Sequence, residues 1–99
     1  PPLPAYAAET GSRVPVRIVA GPLTLAAHPE LDNPRWRPAW NASLNIPLFW
    51  TDGQRNLWQI TCQTAFEQQE FSDEQLEAKY RELSQYFEFL RDLGYIAWK

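Results

Sequence analysis

Two side chains that carry much of protein chemistry are almost missing from this chain, which has one cysteine, Cys62, and one histidine, His28. A lone thiol excludes an internal disulfide and suits a reducing, cytoplasmic setting. One Cys and one His cannot supply the four ligands of a structural zinc site. A thiol nucleophile would need His28 as its base, and no third residue completes a nucleophile–base–orienter set. Cys62, with no cation near it in sequence, reads as a small apolar core residue, and His28, next to Pro29, as a surface loop residue. Methionine is absent and the chain opens Pro1-Pro2, so an initiator was removed or a longer chain was cut. No segment has the charged, apolar and small-residue regions of a signal peptide. The four glycines are scattered and none opens a helix, which excludes a phosphate-cradling loop. No acidic loop has calcium-hand spacing. No apolar run approaches the ~18 residues a membrane span needs. No cofactor is expected.

What is present is a folded domain's composition, with 44% hydrophobic residues, 14% aromatic residues and five tryptophans in 99 residues. One domain with a thin core fits that length. Formal charge is −3 and pI about 5.0, which disfavours nonspecific attraction to nucleic acid or anionic membrane. The acids concentrate late: residues 51–99 hold nine Asp and Glu against five Lys and Arg.

The most legible stretch runs from Ser72 to Trp98. Ser72 and Gln75 form a capping box, with Phe71 and Leu76 placed for a hydrophobic staple and Asp73 and Glu74 in the first turn. Gly94 falls where a Schellman stop places it, with Tyr95 able to fold back on Leu90. Leu76, Tyr80, Leu83, Phe87 and Leu90 step by four and three along one stripe. The pairs Glu77–Arg81 and Glu88–Arg91 read as surface ion pairs of small value. Tyr86, Phe89 and Leu93 lie off the stripe. Either the N-terminal arm or the tail covers them, or they dock on another protein.

The remaining chain reads as follows. Residues 1–12, rich in Pro, form an extended arm, whose opening Pro1-Pro2-Leu3-Pro4 resembles a polyproline ligand only over four residues. Residues 13–99 form one domain. Arg13 to Ala20 alternates as an edge strand with Val14, Val16 and Ile18 inward. Gly21-Pro22 bends the chain and Leu23 to Leu25 resumes extended structure. His28 to Asn41 is a loop interrupted by three prolines. Ser43 to Thr51 and Leu57 to Phe66 alternate as the two strands of a hairpin about Asp52-Gly53, with Trp58, Ile60, Cys62 and Phe66 inward. The expected fold is therefore α+β, a small antiparallel sheet of three to four strands, covered on one face by a single long helix.

Two clusters carry candidate function. Arg35, Trp36, Arg37 and Trp40 join guanidinium to indole on the proline-rich loop, a combination able to grip an anion, a sugar ring or a partner's side chain. The same tryptophans could equally cap the open side of the sheet. The flank of Tyr86, Phe89 and Leu93 is the second. Glu67, Glu70, Asp73, Glu74 and Glu77 crowd the helix start, where capping and solvation account for them. Asn41-Ala42-Ser43 fits a glycosylation acceptor, which a cytosolic setting makes coincidental. The expected function is a non-enzymatic interaction or assembly module, within a larger complex or as a small accessory protein. Its partner is another protein or a second copy. A small-ligand or carbohydrate-binding domain comes next, and an enzyme third.

Overall fold

The computed structural model describes residues 3–18 and 46–99. It is α+β. In order come a short 3-10 turn (Ala5–Ala7), β1 (Pro15–Arg17), α1 (Ile46–Phe49), α2 (Leu57–Glu67), α3 (Asp73–Asp92) and β2 (Ile96–Trp98). Leu23–Leu25, His28 and the Arg35–Trp40 cluster lie outside the described residues.

Helix α3 begins and ends as its sequence dictates. Ser72 Oγ accepts from Gln75 N at 3.1 Å, and Gln75 Oε1 accepts from Ser72 N at 3.1 Å. At the far end Tyr95 N donates to Leu90 O and Gly94 N to Arg91 O, the two bonds of a Schellman motif, with Gly94 at φ +81°. Tyr80, Leu83, Phe87 and Leu90 of the stripe are buried, and Leu76 is half-buried. The ion pairs Glu77–Arg81 and Glu88–Arg91 are present on its surface. Phe71, just before the helix, stacks edge-on against Phe66, 6.0 Å between ring centres.

The expected hairpin is replaced by two helices. Leu57 to Phe66 is helical, and its buried residues Leu57, Trp58, Ile60, Thr61, Thr64 and Ala65 fall at helical spacing, not strand spacing. Asn56 and Gln59 make a second capping box, each bond 2.8 Å. Thr61, polar yet fully buried, turns its hydroxyl to Leu57 O at 2.9 Å, which satisfies it inside the core. Ser43 to Thr51 likewise contains α1, with Pro47 in its first turn, where a missing N–H costs nothing. The turn at Asp52-Gly53 does form: Asp52 Oδ1 accepts from Gln54 N and Arg55 N, and Gly53 takes φ +79°. Those bonds also hold the Asp52 carboxyl below its ordinary pKa.

Among the described residues the sheet has two antiparallel strands, in place of the three to four expected. Pro15 faces Trp98, Val16 faces Ala97 and Arg17 faces Ile96. The inward face is the opposite of the one expected. Pro15 and Ile96 are buried while Ile18 is 61% exposed. The ladder bonds from Ile18 N to Tyr95 O and from Lys99 N to Val14 O fall on the even-numbered residues of the first strand. Pro15 therefore occupies a position whose amide points away from the partner, so the ladder loses nothing to it.

Residues 3–12 are not an extended arm but a docked turn. Ala7 is fully buried, and the Tyr6 ring packs against Trp58 and Tyr80 at 5.8 and 5.6 Å. Thr10 Oγ1 bonds the Tyr80 hydroxyl. More tellingly, this segment and Arg13 just after it cap α2: Leu57 N donates to Arg13 O at 2.8 Å and Trp58 N to Gly11 O at 2.9 Å. With Gln59 N on Asn56 Oδ1 and Ile60 N on Asn56 O, each of the first four amides of α2 has an acceptor. Helix α2 and strand β2 both pack against α3.

Candidate functional site

Once α2 is a helix, its outer face is the feature that needs an account. At about 100° per residue, Phe66 sits roughly opposite the buried side of α2. It is 67% exposed, and its stacking partner Phe71 is 64% exposed. The geometry of the α2–α3 connection brings the two rings together. Helix α2 ends in its own Schellman motif, with Glu70 N on Ala65 O and Gln69 N on Phe66 O. The left-handed position falls on Gln69, φ +57°, where glycine would be the unstrained choice. That tight reversal brings Phe71 back beside Phe66.

An open cleft of about 400 Å³ runs along the same face, lined by Arg55, Trp58, Gln59, Cys62, Gln63 and Phe66. Trp58 forms its apolar floor, since it is only 6% exposed. Arg55 closes one end, pinned by Asp52 Oδ2 and stacked over Trp50 at 4.9 Å. Cys62 is half-buried and free, and burial pushes its thiol above the ordinary range. A thiol so shifted is protonated at neutral pH and a poor nucleophile. Among the described residues no group of three His, Cys, Asp or Glu could hold a metal ion. The face offers apolar area and amide hydrogen bonds.

The acids near this edge are unevenly paired. Glu70 binds Lys79 at 3.3 Å and Glu77 binds Arg81 at 2.7 Å. Glu67, Asp73 and Glu74 have no ion pair among the described residues.

The residues singled out from sequence are distributed differently. Arg35, Trp36, Arg37 and Trp40 lie outside the described residues. Tyr86 is fully buried and Phe89 is 5% exposed, while Leu93 is half-buried against the same core. Burial raises the Tyr86 hydroxyl pKa. Tyr86 and Phe89 are spent on the fold, which is one of the two outcomes their position allowed. Phe66 reads in sequence as an inward strand position and Phe71 as a staple residue, so neither is expected at the surface, where the structure places both. The Asn56–Gln59 capping box is the signal in the sequence that marks α2 as a helix and so turns Phe66 outward.

Compared with protein-family models, curated proteins and solved structures, the chain matches none. No helix of the described residues is long and apolar enough to cross a membrane.

Proposed function

We propose that this chain is a non-enzymatic protein-interaction or assembly module, and that the Phe66–Phe71 edge with the adjoining α2 cleft is its principal contact. The single observation that carries the reading is the exposed ring pair. Isolated exposed apolar residues are ordinary, but two stacked phenylalanines beside an apolar cleft make a contiguous patch. Aromatic anchors in a shallow groove are the usual centre of a protein interface. The Arg35, Trp36, Arg37 and Trp40 cluster is proposed on sequence grounds as a further contact. A cytoplasmic setting fits the lone free thiol.

A second reading rests on the cleft alone, whose volume falls in the range of small-ligand sites. The two separate experimentally. The protein and a Phe66→Ser/Phe71→Ser variant are immobilised side by side and exposed to lysate of the source organism. The interaction reading expects a defined protein retained by the first and lost from the second, with both circular dichroism spectra helical. Equal retention by both would refute it. Saturable quenching of tryptophan fluorescence by a small metabolite, without any retained protein, would favour the second reading.

A further inference from the structure

The unpaired charges at the edge narrow the class of partner. Glu67 directly follows Phe66, and Asp73 and Glu74 open α3 two and three residues beyond Phe71. All three are exposed and none has an ion pair among the described residues. The positive end of the α3 dipole offsets them by about half a charge, which leaves the rim clearly negative. The one cation on the cleft lining, Arg55, is already held by Asp52 at the opposite end.

Resting on the interaction reading above, we propose that the occupant of this edge is a basic amphipathic helix of another protein. Its apolar stripe lies on Phe66, Phe71 and Trp58, and its Lys or Arg residues face Glu67, Asp73 and Glu74. The shape agrees with a helix. Gln59, Cys62 and Phe66 mark the cleft at steps of three and four along α2, about 10 Å at 1.5 Å per residue, and Arg55 stands just before the helix at one end. That is the length over which a docked helix presents anchors at i, i+3 and i+7. A second copy fits less well, because a two-fold pairing through this edge would set the three carboxylates against their own images. Anionic membrane and nucleic acid are repelled by the same charges.

The test uses the intact 15N-labelled protein and two synthetic helical peptides with an identical Leu/Phe stripe, one with Lys and one with Glu on the polar face. The Lys peptide is expected to shift the amides of Gln63, Phe66, Glu67 and Glu74 saturably. Its affinity should fall roughly tenfold or more between 50 mM and 500 mM salt, and similarly in a Glu67→Gln/Asp73→Asn/Glu74→Gln variant whose circular dichroism is unchanged. Phe66→Ser should abolish the shifts. If the Glu peptide binds the same amides equally well, the charge assignment is wrong while the docking edge stands. Shifts confined to other residues, or none with the Lys peptide, overturn the proposal, and lysate retention then decides the interaction reading by itself.

Discussion

Replacing Gly11 with alanine should destabilise this protein, although the same exchange at an unstrained site would stabilise it. A Cβ built on Gly11 lies 2.5 Å from Ala7 O, 3.0 Å from Ala7 Cβ and 3.0 Å from Leu3 Cδ2. The first of these is a backbone atom inside the 3-10 turn, so relief requires the turn or Gly11 to move. Gly11 is fixed on both sides, its N–H on Ala7 O at 2.8 Å and its carbonyl on Trp58 N at 2.9 Å. Overpacking of this kind costs about 1–3 kcal/mol. Weakening the bond to Trp58 N adds roughly 0.5–1.5 kcal/mol. The stiffer unfolded chain returns about 0.4–1 kcal/mol. The net loss is therefore about 2 kcal/mol, a drop of roughly 8–16 °C in Tm for a chain of this size. Urea unfolding followed by both circular dichroism and tryptophan fluorescence measures it. A midpoint unchanged or raised would refute the reasoning, since it would mean that residues 3–12 do not pack as a cap on α2.

Gln69→Gly removes a left-handed strain at the end of α2 and should raise stability by roughly 0.5–1 kcal/mol, read as a higher urea midpoint at constant slope. Asn56→Ala removes the capping box of α2 and should cost about 1 kcal/mol, with loss of helical ellipticity on heating preceding that of the wild type. Burial raises the Cys62 pKa, so its thiolate is scarce at neutral pH. Alkylation there should be slower than for a small free thiol, and the rate should keep rising with pH beyond the point where the free thiol's rate levels off.

The parts of the fold legible in the sequence are those coded by local hydrogen-bond chemistry. The start of α3 could be read because Ser72 and Gln75 satisfy each other's backbone partners, and its stop because only glycine enters φ +81° without strain. Helix α2 was hidden by its own composition. Trp58, Ile60, Cys62 and Phe66 alternate with Gln59, Thr61 and Gln63, which imitates a strand. The buried Thr61 and Thr64 blur the helical period, since both pack in the core yet count as polar in the pattern, Thr61 with its hydroxyl turned to Leu57 O of its own helix. The facing of β1 is hidden for a similar reason. Hydropathy turns its valines inward and its proline outward, whereas the ladder requires Pro15 at a position without a strand hydrogen bond, and that position faces the core. Docking of residues 3–12 depends on acceptors at Gly11 and Arg13 meeting amides more than forty residues later, and no local pattern announces that. The candidate site followed the same rule: Phe66 and Phe71 become a surface only once α2 is a helix.

The most direct measurement sets stability against binding in the Phe66→Ser/Phe71→Ser protein. Each ring is about one-third buried, so the fold should lose only about 1–2 kcal/mol, including the contact between the rings. The account predicts a cooperative, helical protein with a modestly lowered urea midpoint and at least tenfold weaker binding of the cationic helical peptide. A double variant that unfolds, or one that binds the peptide as tightly as the wild type, would contradict it.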